Sequence, residues 1–393
     1  MSGRERLLNA AVPFAVSVLA VFLACLVGGI FLEIRGKDAL HAYEVLIQRG
    51  LGNPGQRTET FKQMAPLLIM AGGLAIALKA GVWNIGVDGQ FFVGALLCGI
   101  IAPELAGSTS RAVVIAAGAL AGLAGGLLWA VVPGILRVRW GLNEIITTLM
   151  MNYVAVNVTS WLVKGPVRDP ARVAPETKQI PLDHRLPNIP GTSVHVGLLA
   201  GLLVVVLVGI LFRSTVLGFM LTVLGRNRRA AIHAGMPVGR LTLLALLLSG
   251  AFAGLAGAND VLSVQGRFSG TWHPEYGFAA FALVYLARLN PLAIIPFAFF
   301  FSFLMVGGQS MPRRANVPTY YVDMLEGLML VFFAATVAME RLWSRAARRV
   351  AEDEPAAIGA AGAAAPLTGS TASDETAMSS QAQGTALSTG ETR

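Results

Sequence analysis

The sequence predicts an all-α, polytopic membrane protein of about ten transmembrane helices, some of them short or broken. Three observations carry this. Of 393 residues, 55% are hydrophobic and 13% charged, about half the charged share of a soluble protein. Apolar runs at 10–30, 194–211 and 241–258 approach or exceed the roughly 20 residues that cross a bilayer as helix. Arginines gather at the ends of such runs, where they act as topology determinants. The formal net charge of +8 is therefore read as orientation, and no nucleic-acid role is assigned. Cys25 and Cys98 fall inside apolar runs, with neither a disulfide framework nor metal spacing, so packing is their expected use.

In chain order, residues 1–9 form a cytoplasmic N-terminus with Arg4 and Arg6. The run from Ala10 is longer than a signal-peptide core and lacks an A-x-A site, which makes it a retained first span. An outer loop follows at about 35–63, in which HAYEVLIQRG reads as an amphipathic helix broken by Gly50, Gly52 and Pro54. Apolar runs come next at about 64–79, 91–106, 111–136 and 144–163, then a second outer loop at about 164–192 with several prolines. Further runs lie at about 193–213, 241–263, 277–288, 291–308 and 318–340. Roughly ten crossings place both termini on one side, and RLWSRAARR at 341–349 puts that side in the cytoplasm. The membrane body is thus 10–345, and the Ala-, Gly-, Ser- and Thr-rich stretch at 350–393 reads as a disordered cytoplasmic tail.

GALAGLAGG from Gly118 matches GAFAGLAGA from Gly250. On this topology the two spans run in opposite directions, as in transporters built from inverted halves. The competing reading is that small residues every three to four positions are the general solution for close helix packing in lipid.

Four polar stretches interrupt the apolar pattern. In LGRNRRAAIHAGMP, 224–237, Asn227 is an N-cap and Gly235 with Pro237 a stop signal, which predicts a two-turn helix over 228–234. So short a helix needs a surface to lie on. Ala230, Ala231 and Ala234 share roughly one side and Arg226, Arg228 and Arg229 supply charge, so the segment reads either as a docking helix or as an ordinary basic loop. GVWNIGVDGQ, 81–90, sets Asn84, Asp88 and Gln90 among glycines between two short apolar runs. It is either a broken helix at membrane depth, lining a route, or a turn at the interface. GLNEIITTLMMNYVAVN, 141–157, opens a helix with Asn143 and Glu144 and carries Thr147, Thr148, Asn152 and Asn157. Glu144 is stabilised by the helix dipole, while Asn152 calls for a partner helix or a polar substrate. In NDVLSVQGRFSGTWHPEYGF, 259–278, Asn259 and Asp260 end a span and His273 stands alone. No metal set, catalytic constellation or P-loop occurs, so no catalytic or metal residues are expected, and energy for transport must come from elsewhere.

GVWNIGVDGQ, GLNEIITTLMMNY and LGRNRRAAIHAGMP, in this order, resemble the permease subunits of bacterial ABC importers of the ribose and branched-chain amino acid permease superfamily. The likeness covers about Phe61 to Arg341 and is greatest to permeases that import nucleosides with basic-membrane-protein-type lipoproteins. The resemblance implies a multi-pass protein of the bacterial plasma membrane that moves nucleosides inward and is not itself an enzyme. It implies that 225–236 is the coupling helix, with Gly225, Arg226, Asn227, Arg228, Arg229, Ala230, Ala231, Ala234 and Gly235 meeting the ATPase. Asn84, Asp88, Gln90, Asn143, Glu144 and Asn152 fall in segments that line or support the translocation route. The implied partners are a cytoplasmic ATPase, which alone carries ATP and Mg, a second permease in a heterodimer, and an extracytoplasmic binding lipoprotein. Import of a simple sugar such as ribose is the alternative within transport. An ion-driven secondary transporter using Asp88 or Glu144 is the alternative from another class.

Overall fold

A computed structural model describes residues 3–339, with side chains from Val16 onward. The expected tail at 350–393 and the basic cluster at 341–349 lie outside the described residues. The chain divides into two compact units, Met1–Val337 and Ala338–Arg393.

The elements are α1 (Gly3–Ile34), α2 (Ala39–Leu51), α3 (Pro54–Lys79), α4 (Val87–Ala106), α5 (Arg111–Trp140), α6 (Glu144–Lys164), α7 (Gly197–Ser214), α8 (Val216–Arg226), α9 (Arg228–His233), α10 (Val238–Asp260), α11 (Tyr276–Leu286), α12 (Pro291–Gly308) and α13 (Met311–Arg314). A last helix, α14, covers Tyr321–Met339. Among the described residues nine helices are long and apolar enough to cross a membrane, so the protein is an all-α, multi-pass membrane protein.

The apolar run at about 277–288, counted as one of the ten, becomes a helix of only 11 residues, α11, which at 1.5 Å per residue rises about 16 Å, half a bilayer core. The preceding segment 266–275 is only partly folded into the bundle: Phe268 is buried, while Thr271, His273 and Glu275 are exposed. Phe91 and Phe92 of α4 pack against Phe268, Trp272 and Tyr276 with ring centroids 5.4–6.4 Å apart, the Phe91–Trp272 pair tilted and the others in the edge-on geometry that aromatic pairs favour. The long loop 165–196, which had no periodicity in the sequence, closes over this segment with backbone bonds. Thr177 N–H donates to Phe268 (3.0 Å), Ile180 N–H to Gly266 (2.8 Å) and Gly270 N–H to Pro175 (3.0 Å), and Arg267 pairs with Glu176 at 3.1 Å.

Two boundaries differ from expectation. α3 begins at Pro54, not near residue 64, because Pro54 occupies the first helical turn, where its missing N–H costs nothing. The polar stretch 54–63 is therefore helix rather than loop. α9 closes at His233, with Gly235 at φ +71° providing the left-handed stop.

The matching glycine runs pack on each other. A Cβ on Gly126 would sit 2.0 Å from the Gly250 carbonyl, and one on Gly122 would sit 2.8 Å from the Gly254 carbonyl, so α5 and α10 cross antiparallel with backbones in contact. Gly94 of α4 meets the same crossing, where a Cβ would fall 2.4 Å from the Gly254 Cα. Close packing of small residues thus accounts for the likeness of the two segments. The opposite strand directions expected of them are observed.

Candidate functional site

The first polar interruption is a true break between α3 and α4. α3 ends at Lys79 with Ala80 as its cap, and Gly81 follows at φ +72° with the N–H of Val82 closing back to Ala77 at 2.9 Å, the left-handed ending that glycine favours. Residues 82–86 are not helical, and Val82, Asn84 and Gly86 are buried while Trp83 between them is exposed. Backbone in such a place needs partners inside the protein, and α6 supplies them. Thr148 Oγ1 accepts from Ile85 N–H at 3.1 Å. One turn along, Asn152 Nδ2 donates to the Ile85 carbonyl at 2.7 Å and its Oδ1 accepts from Gly89 N–H at 2.8 Å. The i, i+4 spacing of Thr148 and Asn152 puts both on one face, and the missing side chains of Gly86 and Gly89 let that face approach. A Cβ on Gly86 would lie 3.0 Å from the Thr148 carbonyl, and one on Gly89 would lie 2.9 Å from Asn152 Oδ1.

Asn84 and Gln90 close the inner side of the break as a reciprocal amide pair. Asn84 Nδ2 donates to Gln90 Oε1 at 2.8 Å, and Gln90 Nε2 donates to Asn84 Oδ1 at 3.1 Å. Asn84 also reaches Ser249 of α10 at 3.0 Å and accepts from Gly86 N–H at 3.2 Å. Both amides are buried, so in this conformation they tie α4 and α10 together and face no open space. Asp88 points the other way. Its Oδ1 accepts the Gly277 N–H at 2.7 Å, placing a carboxylate on the first turn of α11, where the free N–H groups and the helix dipole favour negative charge. A Cβ at Gly277 would fall 2.3 Å from that carboxylate, so glycine is required there. Trp83 meets Tyr285 at the far end of α11, centroids 5.7 Å apart.

Asn143 and Glu144 belong to the α5–α6 hairpin rather than to this cluster. Asn143 caps α6 by accepting from Ile145 N–H at 2.9 Å, and Glu144, nearly enclosed, pairs with Arg137 at 3.1 Å. Arg137 also donates to the carbonyls of Gly141 and Leu142.

The basic segment lies at the same end of the bundle as the break. Asn227 caps α9 by accepting from Ala230 N–H at 3.0 Å. Gly225, Arg226, Asn227, Arg228, Arg229, Ala230, Ala234 and Gly235 are exposed, whereas Ala231 is fully buried. The expected alanine face is therefore divided. A six-residue helix must bury one side to persist, and Ala231 is that side. The exposed surface is made by the arginines, Ala230, Ala234 and Ile232. Gly225 joins this surface to the break, since a Cβ there would lie 2.1 Å from the Lys79 carbonyl and 2.9 Å from Gly81 N. The two backbones touch, glycine against glycine.

The sequence singled out Gly225 for the ATPase but not for its contact with the break, and it singled out neither Gly81 nor Gly277. Their signal was present only as glycines beside polar residues. Among the described residues no group of His, Cys, Asp and Glu is arranged to hold a metal.

Residues 57–334 match the family described as the permease component of branched-chain amino acid transport systems. The chain belongs to that family. It is similar to the glucose ABC transporter permease protein of Haloferax volcanii, 32% identical over 86% of this chain and 91% of that one. It is also similar to the guanosine ABC transporter permease protein of Bacillus subtilis, 28% identical over 85% of this chain and 96% of that one. The nucleoside ABC transporter permease protein of Lactococcus lactis is 26% identical over 84% and 93%. The chain is accordingly a transport component.

Proposed function

We propose that this permease is the membrane subunit of an ABC importer that carries nucleosides into the cytoplasm. A cytoplasmic ATPase drives it and holds ATP and Mg, with no cofactor on this chain. The carrying observation is the backbone contact of Gly225 with Lys79 and Gly81, which joins an exposed basic surface to a helix break at the same end of the bundle. On this reading residues 225–236 dock on the ATPase, and both termini are cytoplasmic. Its movement passes through Gly225 to the start of the break and reorients α4 and α11 through Asp88 and Gly277. Asn84, Gln90 and Asn152 support the route by keeping the broken backbone satisfied, and Asn143 and Glu144 hold the adjoining hairpin. A second permease completes the route, for which α6 offers exposed Ile146, Met150, Tyr153 and Trp161. An extracytoplasmic lipoprotein delivers the solute.

Nucleoside is favoured by two relatives named for guanosine and nucleosides. A sugar is the second reading, favoured by the relative named for glucose. Uptake of labelled guanosine in cells expressing the full set of subunits separates these readings. The proposal expects uptake that stops on ATP depletion and is displaced by unlabelled nucleosides but not by glucose or ribose. Displacement by the sugars transfers the assignment to them, and uptake that survives ATP depletion but collapses with the ion gradient overturns the ATP-driven mechanism.

A further inference from the structure

At the end of the bundle away from α8 and α9, a polar cavity of about 390 Å³ opens between the start of α3, the end of α10 and the end of α12, a size within the range of small-molecule sites. Glu59, Lys62 and Gln63 line it from α3, Asp260 from the end of α10, Gln265 from the turn that follows it, and Tyr276 from the start of α11. Asp260 is the unexplained member. It is 3% exposed, and a carboxylate at such depth in a membrane protein is costly and functional by default. Its recorded hydrogen bond comes from the Tyr276 hydroxyl at 3.5 Å, far longer than a charge-assisted O–H···O⁻ bond. Among the described residues no Lys, Arg or His forms an ion pair with it, while nearby Lys62 is taken by Glu59 at 2.8 Å. Directly after Asp260 the helix widens into a π-helical turn, Val261–Gln265, a feature concentrated at functional sites.

The cavity wall carries two carboxylates, Glu59 and Asp260, and two cations, Arg49 and Lys62. It is therefore neutral overall and suits an uncharged polar solute rather than an ion. In its ionised form Asp260 offers only acceptors, so a solute that meets the carboxylate must bring donors. We propose that the cavity is a ligand subsite on the permease itself, in which Asp260 accepts two adjacent hydrogen-bond donors from an uncharged solute held beside Tyr276. Two chemistries present such a pair: the N–H edge of a purine such as guanine, and the vicinal diol of a sugar ring. This inference rests on the reading of the chain as a solute permease.

The test is equilibrium binding of labelled guanosine to the full chain in lipid nanodiscs. Wild type should bind saturably, and Asp260→Asn, which preserves shape but loses an acceptor, should bind roughly tenfold to a hundredfold more weakly. Asp183→Asn, at an exposed loop carboxylate, should bind as wild type does. Either 1-methylguanosine, in which methyl replaces the N1–H and breaks the adjacent donor pair, or 2′,3′-dideoxyguanosine, which lacks the diol, should lose a similar factor and so identify the edge that Asp260 reads. Equal binding of all three solutes by wild type overturns the proposal, and that comparison stands even if the Asn variant does not fold. Absence of saturable binding of both guanosine and glucose by wild type overturns it too. Intact ATP-driven uptake in Asp260→Asn overturns the subsite and leaves the importer reading in place, whereas ATP-independent uptake by wild type overturns the importer reading instead.

Discussion

Replacing Asn152 with leucine is the perturbation whose cost can be worked most directly. The amide makes two bonds to the break, at 2.7 Å to the Ile85 carbonyl and 2.8 Å from Gly89 N–H, and leucine makes neither while keeping similar bulk. A buried backbone group left without its partner costs roughly 1–3 kcal/mol; interhelical hydrogen bonds in lipid average nearer about 0.6 kcal/mol. Two such groups therefore bracket the loss at about 1–6 kcal/mol. Thr148→Val removes one acceptor, that of Ile85 N–H, and should cost about half as much. The double variant should lose less than the sum, because both side chains hold the same residue. Asn157→Leu is the control, since its exposed amide bonds only Tyr153 of its own helix. The assay is the thermal unfolding midpoint of the purified full chain in detergent. A midpoint for Asn152→Leu no lower than that of Asn157→Leu refutes the account of how the break is held.

Asp88→Asn keeps an acceptor for Gly277 N–H but removes the charge from the start of α11, worth about 0.3–2 kcal/mol, while Asp88→Leu also strands the N–H. Midpoints should fall in the order wild type, Asn, Leu, measured in the same unfolding assay. A double-mutant cycle of Glu144→Gln and Arg137→Gln should return a coupling of roughly 1 kcal/mol for their 3.1 Å pair, read from chemical unfolding. His195, outside the spans, is pushed down to about 4 by burial and by the charge of Lys62, below the ordinary value near 6.5. Between those values the unfolded chain binds a proton that the folded chain does not. Stability is therefore full above about pH 6.5 and falls as pH drops toward 4. His195→Gln should flatten that slope, removing a dependence of roughly 2–3 kcal/mol over the window, measured as midpoint against pH.

The parts of this molecule legible in the sequence are those that demand special residues. A helix can end at Gly81 or Gly235 only through a left-handed residue, so the glycines mark the break and the stop of α9. The α5–α10 crossing requires small residues on both partners, so it shows as two matching glycine runs. What pairs across long separations was not legible. Asn84 and Gln90 read as residues of a route lining or of an interface turn, and nothing local says that they satisfy each other. Ala231 looks like Ala230 and Ala234 until the bundle decides which side lies down. The segment 266–275 carries Gly, Ser, Thr and Pro in the manner of a surface loop, yet Phe268, Trp272 and Tyr276 fold it against α4. Their apolar area outweighs the turn chemistry once the loop 165–196 supplies backbone partners.

The most direct test of the central claim, that movement of the exposed α8–α9 surface reaches the break through Gly225, is uptake by Gly225→Val in the assembled transporter. The valine Cβ would begin 2.1 Å from the Lys79 carbonyl, and backbone there cannot step aside as a side chain could, so the two segments must separate. Gly107→Val, where a Cβ meets nothing within 4 Å, is the matched control. With the variant present in the membrane and the ATPase still bound, nucleoside uptake should fall roughly tenfold or more while the control transports normally. Normal uptake by Gly225→Val would contradict the account.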